Sequence, residues 1–140
     1  MAGKHDDCGL LSRLFLSLGA ASAMLAVILG AFGAHGLRGK LDPSLFNAFQ
    51  TGVEYQMYHA LALVMVGILF GQCPTAGWRL RWSGYLFTTG IILFSGSLYV
   101  LAVSGMRWLG MITPLGGVCF IGAWLLLLIY AMQSGKHCTD

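Results

Sequence analysis

Apolar residues fall in four long blocks, roughly 12–34, 53–71, 82–103 and 109–132, and the polar residues gather in the short segments between them. A helix rises 1.5 Å per residue, so about 20 residues cross the roughly 30 Å hydrocarbon core of a bilayer. Each block meets that length. The pattern predicts an all-α membrane protein, a single transmembrane domain over residues 1–140. Short connections force neighbouring helices to run antiparallel, which gives an up-down bundle of four transmembrane helices.

The first connection is the longest. Within it Asp42-Pro43 reads as a helix start, Asp at the N-cap and Pro at the first helical position. A helix from there into the second block is about 28 residues, longer than the hydrocarbon needs, so its opening turns are expected at the interface. Residues 72–81 (QCPTAGWRLR) read as a loop broken by Pro74 and Gly77, and Ser104–Trp108 as a tight turn. Small residues recur every fourth position in the first block, at Ser22, Ala26, Gly30 and Ala34. That stripe lets a second helix come close, either within the bundle or as a homo-oligomer face.

Composition sharpens the class. Hydrophobic residues make up 57% of the chain and charged residues 9%, where a soluble domain carries about a quarter charged. The formal charge of +3 is scattered along the chain, so no nucleic-acid footprint exists. The first block is longer than a signal-peptide core, and Asp6 and Asp7 spoil a basic leader, so it is expected to be a retained helix. Lys4, Arg13, Arg79, Arg81 and Lys136 share the side of the termini, against Arg38, Lys40 and Arg107 on the other. Cytoplasmic loops carry the excess of Lys and Arg, so both termini are expected in the cytoplasm.

The polar residues of the blocks are not scattered. His35 and Arg38 close the first block, and Glu54, Tyr55, Gln56, Tyr58 and His59 open the second. Ser95, Ser97 and Tyr99 lie late in the third, and Arg107, Thr113 and Pro114 open the fourth. In an up-down bundle all of these fall in the half away from the termini, and the other half is nearly all apolar. An ionisable group in lipid costs a few kcal/mol, so it normally faces the bundle or water. Glu54 shares a helical stripe with Asn47, Thr51 and Tyr58 and is expected to point into the bundle mouth, near Arg38, Arg107 and His35. Two readings follow: an ion pair that ties loops together, or a polar pocket lined by His35, Arg38, Glu54, Tyr58, His59, Ser95, Ser97, Arg107 and Thr113. His59 has a simpler reading as a core histidine bonded to a serine of the third span. The glycines around His35 either admit a neighbour or end the helix at Gly36, and Pro114 is tolerated in a first turn.

Cys8, Cys73 and Cys138 share the terminal side with His5 and His137, and Cys119 lies in the fourth span. No C-x-x-C or H-x-x-x-H spacing is present, so no metal site and no cofactor are expected, and cytosolic thiols stay reduced. No nucleophile elbow, phosphate loop or haem pair is present either, which leaves an enzyme without visible machinery.

GAFGAH at 30–35, QTGVEYQMYH at 50–59, LFSGSLYVLA at 93–102 and TPLGGVCFIGAW at 113–124 resemble the YgdD-like family of small bacterial inner-membrane proteins. The resemblance runs from about residue 15 to residue 130 and touches all four blocks in order. It implies four transmembrane helices and a place in the bacterial inner membrane, and no transferable activity. Two functions are then expected: non-catalytic binding or transport of a small solute, ion or lipid head group, or assembly with a membrane-protein partner.

Overall fold

The computed structural model describes residues 2–72 and 77–134, and side chains within 8–72 and 77–133. Its elements are α1 (Ala2–Phe32), a π-turn (Gly33–Leu37), α2 (Pro43–Gln72), α3 (Trp78–Ser104), a 3-10 turn (Arg107–Met111) and α4 (Thr113–Ser134). Four helical stretches are long and apolar enough to cross a membrane.

Local chemistry sets the ends. Pro43 opens α2 without needing its missing N–H, and the Asp42 carbonyl accepts from Phe46 N–H at 2.9 Å. α3 ends on Gly105, whose φ of 71° is the left-handed conformation a glycine adopts without strain, and whose N–H reaches the Leu101 carbonyl at 2.8 Å. Pro114 sits in the first turn of α4. Two expectations are corrected. Trp78–Arg81 belong to α3, so the loop before it is shorter than 72–81, and its residues 73–76 lie outside the described residues. The first helical stretch does not end at Gly36: the π-turn that continues α1 passes it and ends at Leu37, with Arg38 N–H bonded to the Gly33 carbonyl at 3.1 Å.

α2 and α3 form the centre of the bundle. α1 packs along α2 and touches α3 through Phe15, whose ring lies 5.5 Å from that of Tyr85. α4 packs along α3 and meets α2 through aromatic rings instead of backbone. Lipid tails are as apolar as leucine, so close packing and hydrogen bonds, not burial from water, must hold such helices together. The small-residue stripe serves this end. Ala26 is buried, a Cβ on Gly30 would stand 3.4 Å from Val53, and the Ser22 carbonyl is bonded by α2, so three members face α2 while Ala34 is exposed.

The half near the termini holds a core of Phe15, Leu63, Val66, Phe70, Leu80 and Phe87. It is less apolar than expected. The Ser12 hydroxyl donates to the Gly67 carbonyl at 2.8 Å, and the Ser83 hydroxyl donates to the Ala123 carbonyl at 2.9 Å, each joining two helices.

Candidate functional site

Glu54 is exposed, and so are Asn47 and Gln50. Tyr58, one turn on, is 58% exposed. The stripe that the sequence places on one face therefore faces outward, not into the bundle mouth. Glu54 instead lines a small groove between α1 and α2, with Gly30, Gly33, Phe49, Gln50 and Val53, that holds about 60 Å³. The groove follows from the sequence locally. Gly33 is buried under Phe49, and a Cβ there would stand 2.8 Å from the ring. The π-turn begins at that glycine. Such turns interrupt the regular ladder and often mark functional positions. No ion pair joins Glu54 to Arg38, Arg107 or His35 among the described residues, and all three side chains are exposed.

Inside the bundle the polar groups pair with one another. Gln56 is 5% exposed and holds two helices: its Nε2 donates to the Ser22 carbonyl of α1 at 2.8 Å, and its Oε1 accepts from the Tyr99 hydroxyl of α3 at 2.7 Å. Tyr99 also packs at a tilt against Phe49, 5.1 Å between centroids and 50° from parallel, which links this network to the groove floor. Ser97 donates to the Phe94 carbonyl at 2.9 Å and shares a 2.8 Å hydrogen bond with Thr113, closing α3 on α4. Ser95 is buried, and its Oγ has no partner.

His59 is 6% exposed and makes no bond to a serine of α3. Its Nδ1 lies 2.7 Å from the Tyr55 carbonyl. A carbonyl only accepts, so Nδ1 carries the hydrogen and Nε2 of the neutral ring is left as an acceptor. The ring lies flat on Phe120, 3.5 Å between centroids and 6° from parallel, with Phe87 at 5.8 Å.

The nine candidate residues thus divide into three places. Glu54 lines the α1–α2 groove, with Tyr58 outward beyond it and His35 and Arg38 exposed in and just after the adjoining π-turn. Ser97 and Thr113 join α3 to α4, with Ser95 buried two residues away on another face of α3 and Arg107 exposed in the turn before. His59 stands alone in an aromatic seam. They do not form one pocket. Sequence reading left Gln56 out of the candidates, although a signal was present: Gln56 is two residues from Glu54, hence about 200° round the helix, and cannot share its face. Cys119 is half-buried; Cys73 and Cys138 lie outside the described residues.

Residues 29–117 match the family model described as a protein of unknown function (DUF423). Curated relatives are close. The UPF0382 membrane protein YwdK of Bacillus subtilis is 48% identical, over 86% of this chain and 98% of its own. A UPF0382 membrane protein of Staphylococcus haemolyticus is 47% identical over 84% of this chain and 93% of its own. One from Staphylococcus aureus is 48% identical over the same shares, 84% and 93%. No solved structure matches.

Proposed function

The chain belongs to the UPF0382 (DUF423) family of membrane proteins of unknown function, and on that premise we propose that it binds, without catalysis, an ammonium-bearing head group in the α1–α2 groove. One observation carries the reading: Glu54 is an exposed carboxylate on a membrane-spanning helix, with no ion pair to a cation among the described residues. A charge in that position normally pairs. The groove's 60 Å³ fits a primary ammonium and little more, since a water's share of liquid volume is about 30 Å³. A head group that leaves its bulk outside suits this better than a whole solute carried through. The interior supports the same view, because Gln56, Tyr99, Ser97 and Thr113 are bonded to protein and not turned to a channel.

Vesicles holding equal phosphatidylethanolamine and phosphatidylglycerol, followed by native mass spectrometry of the released protein, test this. The protein is expected to retain the ethanolamine lipid over the glycerol lipid by about tenfold, the worth of one charge-assisted hydrogen bond. Glu54→Gln is expected to remove that preference and to melt like wild type, because no buried partner is orphaned. Adding free ethanolamine phosphate separates sources: competition would identify a soluble amine as sufficient. Equal retention of both lipids by the wild type defeats the proposal. Loss of a second polypeptide on Glu54→Gln, with no lipid preference, would instead favour the assembly reading.

We further propose that the protein lies in the bacterial inner membrane with both termini cytoplasmic. A fluorescent protein fused after Asp140 is expected to fluoresce, and alkaline phosphatase at the same point to be inactive, from the five Lys and Arg on the terminal side against three on the other. The reverse result inverts the sides and puts the groove in the inner leaflet.

A further inference from the structure

We propose that the seam between α2 and α4 at His59 binds a lipid-soluble aromatic alcohol, of the phenol or quinol class, whose hydroxyl donates to His59 Nε2. This site is separate from the α1–α2 groove: five residues beyond Glu54, His59 lies about 140° round α2 from it. His59 is nine-tenths buried, yet only one of its two nitrogens is used. Among the described residues, the buried side-chain N or O without a partner is Ser95 Oγ. His59 Nε2, also without a partner, is not buried in that sense and therefore reaches the molecular surface.

That surface is hydrocarbon. His59 lies six residues, or about 9 Å, inside the apolar block that begins at residue 53, and five residues deeper than Glu54. No water stands there to satisfy a polar group, and an unmade hydrogen bond in such a medium costs several kcal/mol. Lipid head groups lie farther out. The donor must come from a molecule that dissolves in the acyl region. The walls of the seam say what kind. Tyr55 lies nearly flat on Phe94, 4.6 Å and 20° from parallel, and Phe120 lies flat on His59. Trp124, across from His59 at 6.3 Å, is 43% exposed, and Tyr55 is 39% exposed. The exposed rings flank the imidazole and offer apolar walls to a flat aromatic guest, whose ring they can stack or meet edge-on.

Full-length protein in nanodiscs, carrying Trp78, Trp82 and Trp108 as Phe so that Trp124 alone emits, is titrated with 4-nonylphenol and with its methyl ether. The two share ring and chain, and only the phenol donates. The phenol is expected to change Trp124 emission with a midpoint at about tenfold lower mole fraction in the bilayer than the ether, one hydrogen bond's worth. In the same titration the ring ¹⁵N resonance of His59 Nε2 is expected to move with the phenol and stay with the ether. His59→Phe keeps the stack on Phe120 and is expected to bind phenol and ether alike. Equal midpoints in the wild type, an unmoved Nε2 resonance, or a phenol preference surviving in His59→Phe each overturn the proposal. The ether comparison and the resonance use the histidine-bearing protein, so they decide the matter even where His59→Phe does not fold.

Discussion

Gly116→Ala is expected to lower the unfolding free energy by about 1–3 kcal/mol, the range for overpacking a tight contact, whereas Gly117→Ala next to it is expected to leave stability unchanged or slightly raised. A Cβ on Gly116 would stand 2.5 Å from the Phe94 amide nitrogen and 2.8 Å from its Cα. Those are backbone atoms of α3, which cannot rotate aside, so α4 must move off α3 as a unit. At Gly117 the nearest atom is 4.0 Å away, the far edge of the Phe94 ring. There the only change is a helix interior gaining alanine for glycine, a preference worth up to about 1 kcal/mol. The separation of α4 from α3 would also strain the Ser97–Thr113 hydrogen bond three residues upstream. Reversible unfolding in mixed micelles measures both variants. Equal stabilities for the two would mean that α3 and α4 do not approach at Gly116 as described.

That contact also marks where sequence reading stopped. Hydropathy and the Asp42-Pro43 start made the four helices legible, since membrane thickness imposes an apolar run of about 20 residues that soluble helices rarely carry. The clustering of polar residues in one half was legible too. What the pattern could not say was which face of a helix is turned where. Periodicity puts Asn47, Thr51, Glu54 and Tyr58 on one stripe, but in a bilayer the outward face near the interface tolerates polarity as the inward face does. Direction needed the neighbours: Gly52 under Tyr99 and Gly67 under Leu16 place α3 and α1 on the other side of α2. Ser12 and Ser83 escaped notice for a different reason. A single hydroxyl barely lowers the hydropathy of a block, and its partner is a backbone carbonyl on another helix, which carries no residue-type signal. His59 is a buried histidine, but its partner is the carbonyl four residues back in its own helix, not a serine of α3.

Gln56→Leu is expected to cost about 1–3 kcal/mol of stability, and Tyr99→Phe less, about 0.6–1.7 kcal/mol, on the scale of side-chain hydrogen bonds between membrane helices. Gln56 uses both ends of its amide, one on α1 and one on α3. Leucine there loses both bonds and leaves the Tyr99 hydroxyl facing an apolar group. Phenylalanine at 99 loses one bond and leaves Gln56 Oε1 without its donor, while the Ser22 bond persists. The two changes therefore overlap, and the double variant is expected to be no less stable than Gln56→Leu alone, because removing the hydroxyl also removes the orphan. Additive losses in that cycle would mean that Gln56 and Tyr99 do not share a bond. The consequence reaches the groove. Ser22 lies two turns before Gly30 on α1, and Phe49 of the groove packs at a tilt against Tyr99, so the amide fixes both the register of α1 on α2 and the ring that covers Gly33. Gln56→Leu is thus expected to weaken ethanolamine-lipid retention along with stability, while Glu54→Gln removes retention and leaves stability intact. That contrast distinguishes the residue that would hold the ligand from the residue that holds the walls.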